Sequence, residues 1–174
     1  MIVIQNLKEI DGLKVIKTAF EELRPNVYKE DTHSILAFNK GGININIVDE
    51  KLYYMEQFTF KPFEIYNMIP AFIIKCLAGS IDIFIKDKRN YSDTSQNEYM
   101  TTLSALDHKA IYIPEACCYS LFSKSENTIV SVKANQITNN NNINLASNKE
   151  IGFNFAPYLS NSKLDKSYHD LFNS

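Results

Sequence analysis

The sequence predicts an all-β fold, on three observations. Short runs rich in β-branched and aromatic residues recur at regular intervals along the chain, the pattern of a sandwich or barrel. Turn chemistry separates them, as at Gly79, where a tight connection needs a residue free to take positive φ. A helical pattern is plausible only near the end, over 163–172.

In order, the predicted strands are 13–20, 34–38, 43–48, 51–60, 71–77, 80–86, 99–103, 110–113, 118–122 and 128–134. The run 80–86 is the most informative. Its alternation puts Ile81, Ile83 and Ile85 on one face and Phe84 on the other, so both faces of this strand are covered. Ile113-Pro114-Glu115 reads as a turn into the next strand, because Pro presets the φ that a turn needs. The tract Asn139-Asn140-Asn141-Asn142 reads as a loop of low complexity. The chain has no repeat and no linker-like composition, so one domain over 1–174 is expected.

Composition narrows the function classes. With 45% hydrophobic and 22% charged residues, the 174-residue chain is globular and can bury a core without staples. A formal net charge of −2 gives no electrostatic footprint for nucleic acid or an anionic membrane surface. No apolar run reaches the ~18 residues of a membrane span, and the first twenty residues lack the basic start and cleavage site of a secretory signal. Cys76, Cys117 and Cys118 form neither a disulfide framework nor a zinc spacing. A cytoplasmic protein with reduced thiols is expected. Three scattered histidines cannot supply the facing ligands of a metal-binding barrel, so neither metal nor cofactor is expected.

One series of segments carries a family resemblance. Lys75-Cys76 closes a strand and Gly79 follows in the turn. Then come Leu103-Ser104-Ala105, Ile113-Pro114-Glu115, Ile151-Gly152 and Leu159-Ser160, in order. This series resembles the dTDP-4-dehydrorhamnose 3,5-epimerases, and the upstream segment RPNVYKEDTHSILAF resembles that family's early strand pair. The resemblance covers roughly 14–168. It implies an RmlC-like cupin jelly-roll barrel with a short C-terminal helical segment, a nucleotide-sugar ligand, and a role in surface-polysaccharide or nucleotide-sugar metabolism. It also implies a homodimer, an early strand of one subunit completing the other's sheet.

The family's reaction epimerises carbons beside a ketone. It needs a base on one face of the sugar and an acid on the other. A His steadied by an Asp and a Tyr fill these roles in the family, while an Arg and a Lys hold sugar and phosphates. This sequence departs at nearly every such position. Pro62 stands where the His is expected, and no His occurs between His33 and His108. Phe72 takes the place of the Lys, and no Tyr occurs between Tyr119 and Tyr158, where the acid should fall. Tyr119 replaces a second His, and Glu30-Asp31-Thr32-His33 replaces the segment that carries the nucleotide-holding Arg. Asp165 alone stays roughly in place as the partner of the missing base.

Losing a general base alone typically slows a reaction about 10²–10⁴-fold, and phosphates buried without cations are left uncompensated. The resemblance therefore implies an epimerase-like barrel that has lost the ancestral reaction and acts as a sugar-binding or accessory protein. The candidate catalytic residues are Asp165 and Tyr119; the candidate substrate-binding residues are Lys61, Glu64, Tyr66, Lys75 and Lys133. The lysines qualify only if they point inward. Against these stand plainer roles. Tyr119 fits a core or pocket wall, Asp165 a cap or surface pair, and His33, His108 and His169 the surface. Two rivals remain: an active isomerase built on Tyr119, Asp165, Glu64 or Lys61, recognisable by inward, perturbed lysines or carboxylates, and a structural dimer with Phe58, Phe60, Phe63 and Phe72 packed across the barrel mouth.

Overall fold

The structure is a computed structural model that describes residues 3–17, 20–25, 27–30, 42–66, 68–138, 143–146 and 151–154. Its strands are β1 (Val3–Asn6), β2 (Lys14–Lys17), β3 (Phe20–Arg24), β4 (Val27–Glu30), β5 (Asp49–Met55), β6 (Phe60–Lys61), β7 (Phe63–Tyr66), β8 (Phe72–Ala78), β9 (Ser80–Asp87), β10 (Glu98–Ser104), β11 (Lys109–Ile113), β12 (Cys117–Ser123), β13 (Thr128–Ala134) and β14 (Ile143–Ala146). A six-stranded sheet runs β1-β2-β11-β8-β13-β5 and a four-stranded sheet β10-β9-β12-β6, with two-stranded pairs β14-β7 and β3-β4. Every pairing is antiparallel. Among the described residues no helix is long and apolar enough to cross a membrane.

Alternation decides what each sheet buries. Phe72, Ile74 and Cys76 of β8 meet Val130, Val132 and Ala134 of β13 on one inner face; Ile81, Ile83 and Ile85 of β9 meet Cys117, Tyr119 and Leu121 of β12 on the other. These residues share one core between the sheets, and the isoleucine alternation read from the sequence is borne out. The reverse face of the four-stranded sheet is buried as well. Phe84, Cys118 and Phe122 lie there under Phe63, Ile151 and Phe153, with the Phe153 ring edge-on to Phe84 at 5.7 Å.

A polar clasp fixes that cover. Lys86 Nζ donates to Glu98 Oε1 at 2.9 Å and to the Gly152 carbonyl at 3.0 Å, and Glu98 Oε1 also accepts from the Asn154 N–H. Phe153→Ala is thus a change in core rather than in tail.

At the end of β9, the Asp87 carboxylate takes a bidentate grip on Arg89, Nε–Oδ1 at 2.9 Å and Nη2–Oδ2 at 2.7 Å, and accepts from the Thr94 hydroxyl at 2.7 Å. Arg89 Nη2 continues to the Asp11 carbonyl at 2.7 Å, tying the loop after β9 to the N-terminal strands. The turn at Gly79 has φ +74°, the left-handed value its sequence context predicts.

Two predicted strands come out differently. Over 43–48 the backbone forms no strand, yet Ile43 is buried and packs with Ile16, Ile73 and Ala110 on the outer face of the six-stranded sheet, beside Ile45 and Ile47. Apolar alternation there serves a covering segment that joins the β13 ladder only at its end, where the Val48 N–H donates to the Ala134 carbonyl. The run 51–60 is broken after Met55, with Phe58 at φ 60° and its N–H donated to the Ser123 carbonyl. The predicted strand 34–38, the asparagine tract and the helical segment 163–172 lie outside the described residues.

All three cysteines are buried and free. Burial pushes the Cys76 thiol up to about 11 and those of Cys117 and Cys118 up to about 12. Since only the thiolate reacts, an aromatic disulfide reagent at pH 8 is expected to titrate none of them promptly in the folded protein and all three after denaturation. Prompt reaction of a native thiol would contradict this packing.

Candidate functional site

One end of the barrel interior is polar, and the strand period explains how. Lys61 of β6 lies opposite Leu121 in the β12 ladder, so it shares the inward face. Tyr119, two residues back on β12, shares it too. On β5 the alternation gives Asp49, Lys51, Tyr53 and Met55 to the inner side and Glu50, Leu52 and Tyr54 to the outer, where Tyr54 is 74% exposed. Phe72 closes the group from β8, its ring edge-on to Tyr119 at 4.9 Å.

Lys61 is the centre. It is 7% exposed, with Nζ 3.1 Å from Glu64 Oε2, an ion-pair distance. The Glu64 carboxylate is the charged partner that holds this ammonium inside the barrel. Nζ also sits over two phenol rings, 4.7 Å from the centroid of Tyr119 and 5.2 Å from that of Tyr53, within reach of cation–π attraction. Burial holds the Lys61 ammonium below its ordinary pKa; Glu64 pulls the other way and nearby Lys51 adds to the lowering. Burial also pushes the Tyr53 phenol above its ordinary range, with Glu64 adding to it.

At the rim, Asp49 accepts from the Thr138 hydroxyl at 2.6 Å and from its N–H at 3.1 Å. The Thr138 hydroxyl is the main cause that holds the Asp49 carboxyl below its usual value, outweighing partial burial. Lys51 donates to the Thr138 carbonyl. An ammonium amid carboxylates and phenols is a poor cation site. It suits an anion or a carbonyl.

The model of the dTDP-4-dehydrorhamnose 3,5-epimerase family matches residues 9–172. The chain belongs to this family. Among curated proteins none matches it in sequence. Solved structures similar to it include the dTDP-4-dehydrorhamnose 3,5-epimerase of Elizabethkingia anophelis, 17% identical, TM-score 0.75, covering 84% of this chain and 80% of that one. The dTDP-6-deoxy-D-glucose-3,5-epimerase of Legionella pneumophila, in complex with dTDP-4-keto-L-rhamnose, is 14% identical with a TM-score of 0.80, covering 95% and 86%. A dTDP sugar isomerase of Desulfovibrio desulfuricans is 13% identical with a TM-score of 0.72, covering 98% and 100%. At such identities the likeness speaks for the RmlC-like jelly-roll fold.

Within this epimerase-family barrel, the structure brings Lys61, Glu64 and Tyr119 together. Lys75 and Lys133 do not meet the condition of pointing inward: alternation along β8 and β13 gives the inward positions to Ile74, Cys76, Val132 and Ala134, and sets both lysines on the outer face. There Lys133 Nζ lies 3.8 Å from Glu50 Oε1. Tyr66 is described as a residue of β7, paired with Ile143; its side chain and Asp165 lie outside the described residues, as do His33 and His169. His108 caps a 3₁₀ turn (Ala105–Asp107) in left-handed backbone and is half-buried. It precedes β11 at the end remote from Phe72, which pairs with Ile113.

Of the phenylalanines considered for the mouth, Phe72 lies inside the barrel, Phe63 packs on the outer core, and Phe58 is 40% exposed. Sequence reading missed Asp49, Lys51 and Tyr53. The period-2 signal in DEKLYYM is present, but it does not say which of its two rows, Asp49-Lys51-Tyr53 or Glu50-Leu52-Tyr54, faces inward.

Proposed function

We propose that this member of the 3,5-epimerase family is one RmlC-like domain of nucleotide-sugar metabolism that binds an activated sugar and no longer runs the His–Tyr epimerisation. One observation carries the reading. At the barrel end, Lys61 is engaged by Glu64 and lies directly over the Tyr119 ring. A base and an acid that serve opposite faces of a sugar must have that sugar between them, and this contact leaves no such gap. The protein works as a homodimer in the cytoplasm. A dTDP-type ligand is supported by relatives: the Legionella pneumophila enzyme holds dTDP-4-keto-L-rhamnose, and a Bacillus anthracis relative holds TDP and PPi. Lys51 and Lys61 are the inward cations for such an anion.

The test is solvent-deuterium exchange at C3 and C5 of dTDP-4-dehydro-6-deoxyglucose, followed by NMR beside an active epimerase, with dTDP binding measured by calorimetry. The expected result is binding with exchange at least ~10²-fold slower than the control, the loss typical of a missing general base. Exchange at the control rate would sink the proposal. It would favour a second reading, an isomerase that uses Lys61 as base, to which the lowered ammonium pKa of that buried lysine lends support.

A further inference from the structure

Lys61 is an odd residue to keep in a barrel core. Its amine is buried and is approached by one carboxylate and two phenol faces. A lysine kept for stability would be simpler as a well-packed apolar side chain, because buried ion pairs are commonly neutral or worse against such replacements. Other buried charges here have evident structural work. Asp87 and Arg89 tie a loop, and Lys86 clasps the C-terminal cover. Among the described residues, the one carboxylate Lys61 pairs with is Glu64, three residues on, and its other neighbours are the two phenol faces.

From this geometry we infer that Lys61 is a carbonyl-capturing amine, which forms an imine with the ketone or aldehyde carbon of a sugar ligand. Desolvation supplies neutral amine at a pH where a surface lysine has almost none. Glu64 Oε2, 3.1 Å from Nζ, accepts the ammonium proton. The freed nitrogen lone pair attacks the carbonyl carbon, a C–N bond forms, the π pair moves to oxygen, and that oxygen takes a proton from Glu64. The carbinolamine then loses its hydroxyl, protonated on leaving, as water. The product is a protonated iminium, so one ammonium and one carbonyl become one iminium and one water, with no change of oxidation state. The positive nitrogen stays over the Tyr119 and Tyr53 rings, whose faces favour a cation. The dry site also hinders hydrolysis of the adduct.

The inference rests on the sugar-binding reading only for its natural ligand, not for the reactivity of the amine. Two probes separate these. The full-length protein is incubated with sodium cyanoborohydride and either dTDP-4-dehydro-6-deoxyglucose or glycolaldehyde, and adducts are located by intact mass and peptide mapping. The reductant delivers hydride to the iminium carbon, so each adduct adds the mass of the carbonyl compound less one oxygen atom.

Lys61 is expected to be modified by glycolaldehyde at least ~10-fold faster than any surface lysine, and by the nucleotide sugar at that one site. Lys61→Arg keeps the charge over the rings and should abolish the adduct at this position while the surface lysines' glycolaldehyde labelling stays unchanged. Glu64→Gln should slow adduct formation and leave the surface lysines' labelling unchanged. Labelling by glycolaldehyde without dTDP binding would uphold the amine and defeat the sugar-nucleotide reading. Failure of both probes to label Lys61 above the surface lysines, in a protein shown folded by its thermal transition, would overturn the inference.

Discussion

Asp87→Ala is expected to be among the most destabilising single changes in the molecule. The carboxylate is fully buried and engages Arg89 through two bonds, the Arg89 N–H, and the Thr94 hydroxyl. Removing it leaves the Arg89 guanidinium in the core with, among the described residues, the Asp11 carbonyl as its remaining hydrogen-bond partner. Breaking one side of a buried pair costs about 3–5 kcal/mol, because the remaining charge is uncompensated. For a chain of this size that corresponds to a fall of roughly 6–20 °C in Tm. A change below ~2 °C would show that the pair does not hold the loop as described.

The same group gives a pH dependence. Burial alone would raise the Asp87 pKa, but the hydrogen bonds from the Arg89 side chain and backbone and from Thr94 outweigh it and leave it lowered. With a folded pKa below the unfolded one, the unfolded state binds more protons, so stability rises with pH across that window. The contribution is complete above the ordinary aspartate value of about 4 and is lost as pH falls through the lower, folded value. Asp87→Asn should therefore flatten the acid side of the Tm–pH curve while leaving the neutral side level.

Gly79→Ala carries the second large effect. The residue sits at φ +74°, and a Cβ built there would lie 2.3 Å from Ser125 Oγ, 2.7 Å from Thr128 Oγ1 and 3.3 Å from Thr128 Cα. Left-handed backbone in a non-glycine residue costs about 1–3 kcal/mol. The clash adds to this, because Ser125 Oγ is not free to swing away: it accepts the Ser80 N–H at 2.8 Å and contacts the Thr128 hydroxyl at 3.1 Å. A loss of about 3 kcal/mol or more is expected by denaturant titration at unchanged m-value, within the range of diagnostic single mutations. Gly152 provides the contrast. It also has positive φ, but among the described residues nothing lies within 4 Å of its Cβ position, so Gly152→Ala should show the backbone strain with little added clash.

The legible part of the fold was the part with clean alternation. The strand 128–134 was read to the residue, and 80–86, 110–113 and 118–122 fell within one or two residues of β9, β11 and β12. Each has an inward row that is apolar through the middle of the strand and turns polar only at an end, as at Asp87, Ser123 and Thr128. Reading failed where an apolar residue answers to tertiary position rather than to strand period. Ile43, Ile45 and Ile47 look like a strand face but cover a sheet from outside. The site followed the same rule. Lys61, Glu64 and Tyr119 were nameable because family spacing pointed near them, whereas Lys75 and Lys133 could be assigned a face only once β8 and β13 had a register. Asp49, Lys51 and Tyr53 were hidden because a polar row lining a barrel looks, in sequence, like a solvent face.

The order of pairing bears on how the chain is made in a cell. β2 finds its inner neighbour in β11, about 90 residues later, with Lys17 opposite Lys109. At about 5–20 residues per second of synthesis, the N-terminal hairpin waits roughly 5–20 seconds for the strand that seats it. Over that interval Ile4 and Ile16, and soon Ile43, Ile45 and Ile47, have no sheet to cover. The nascent protein therefore exposes these apolar side chains early and covers them late, an ordering set by the topology of the six-stranded sheet.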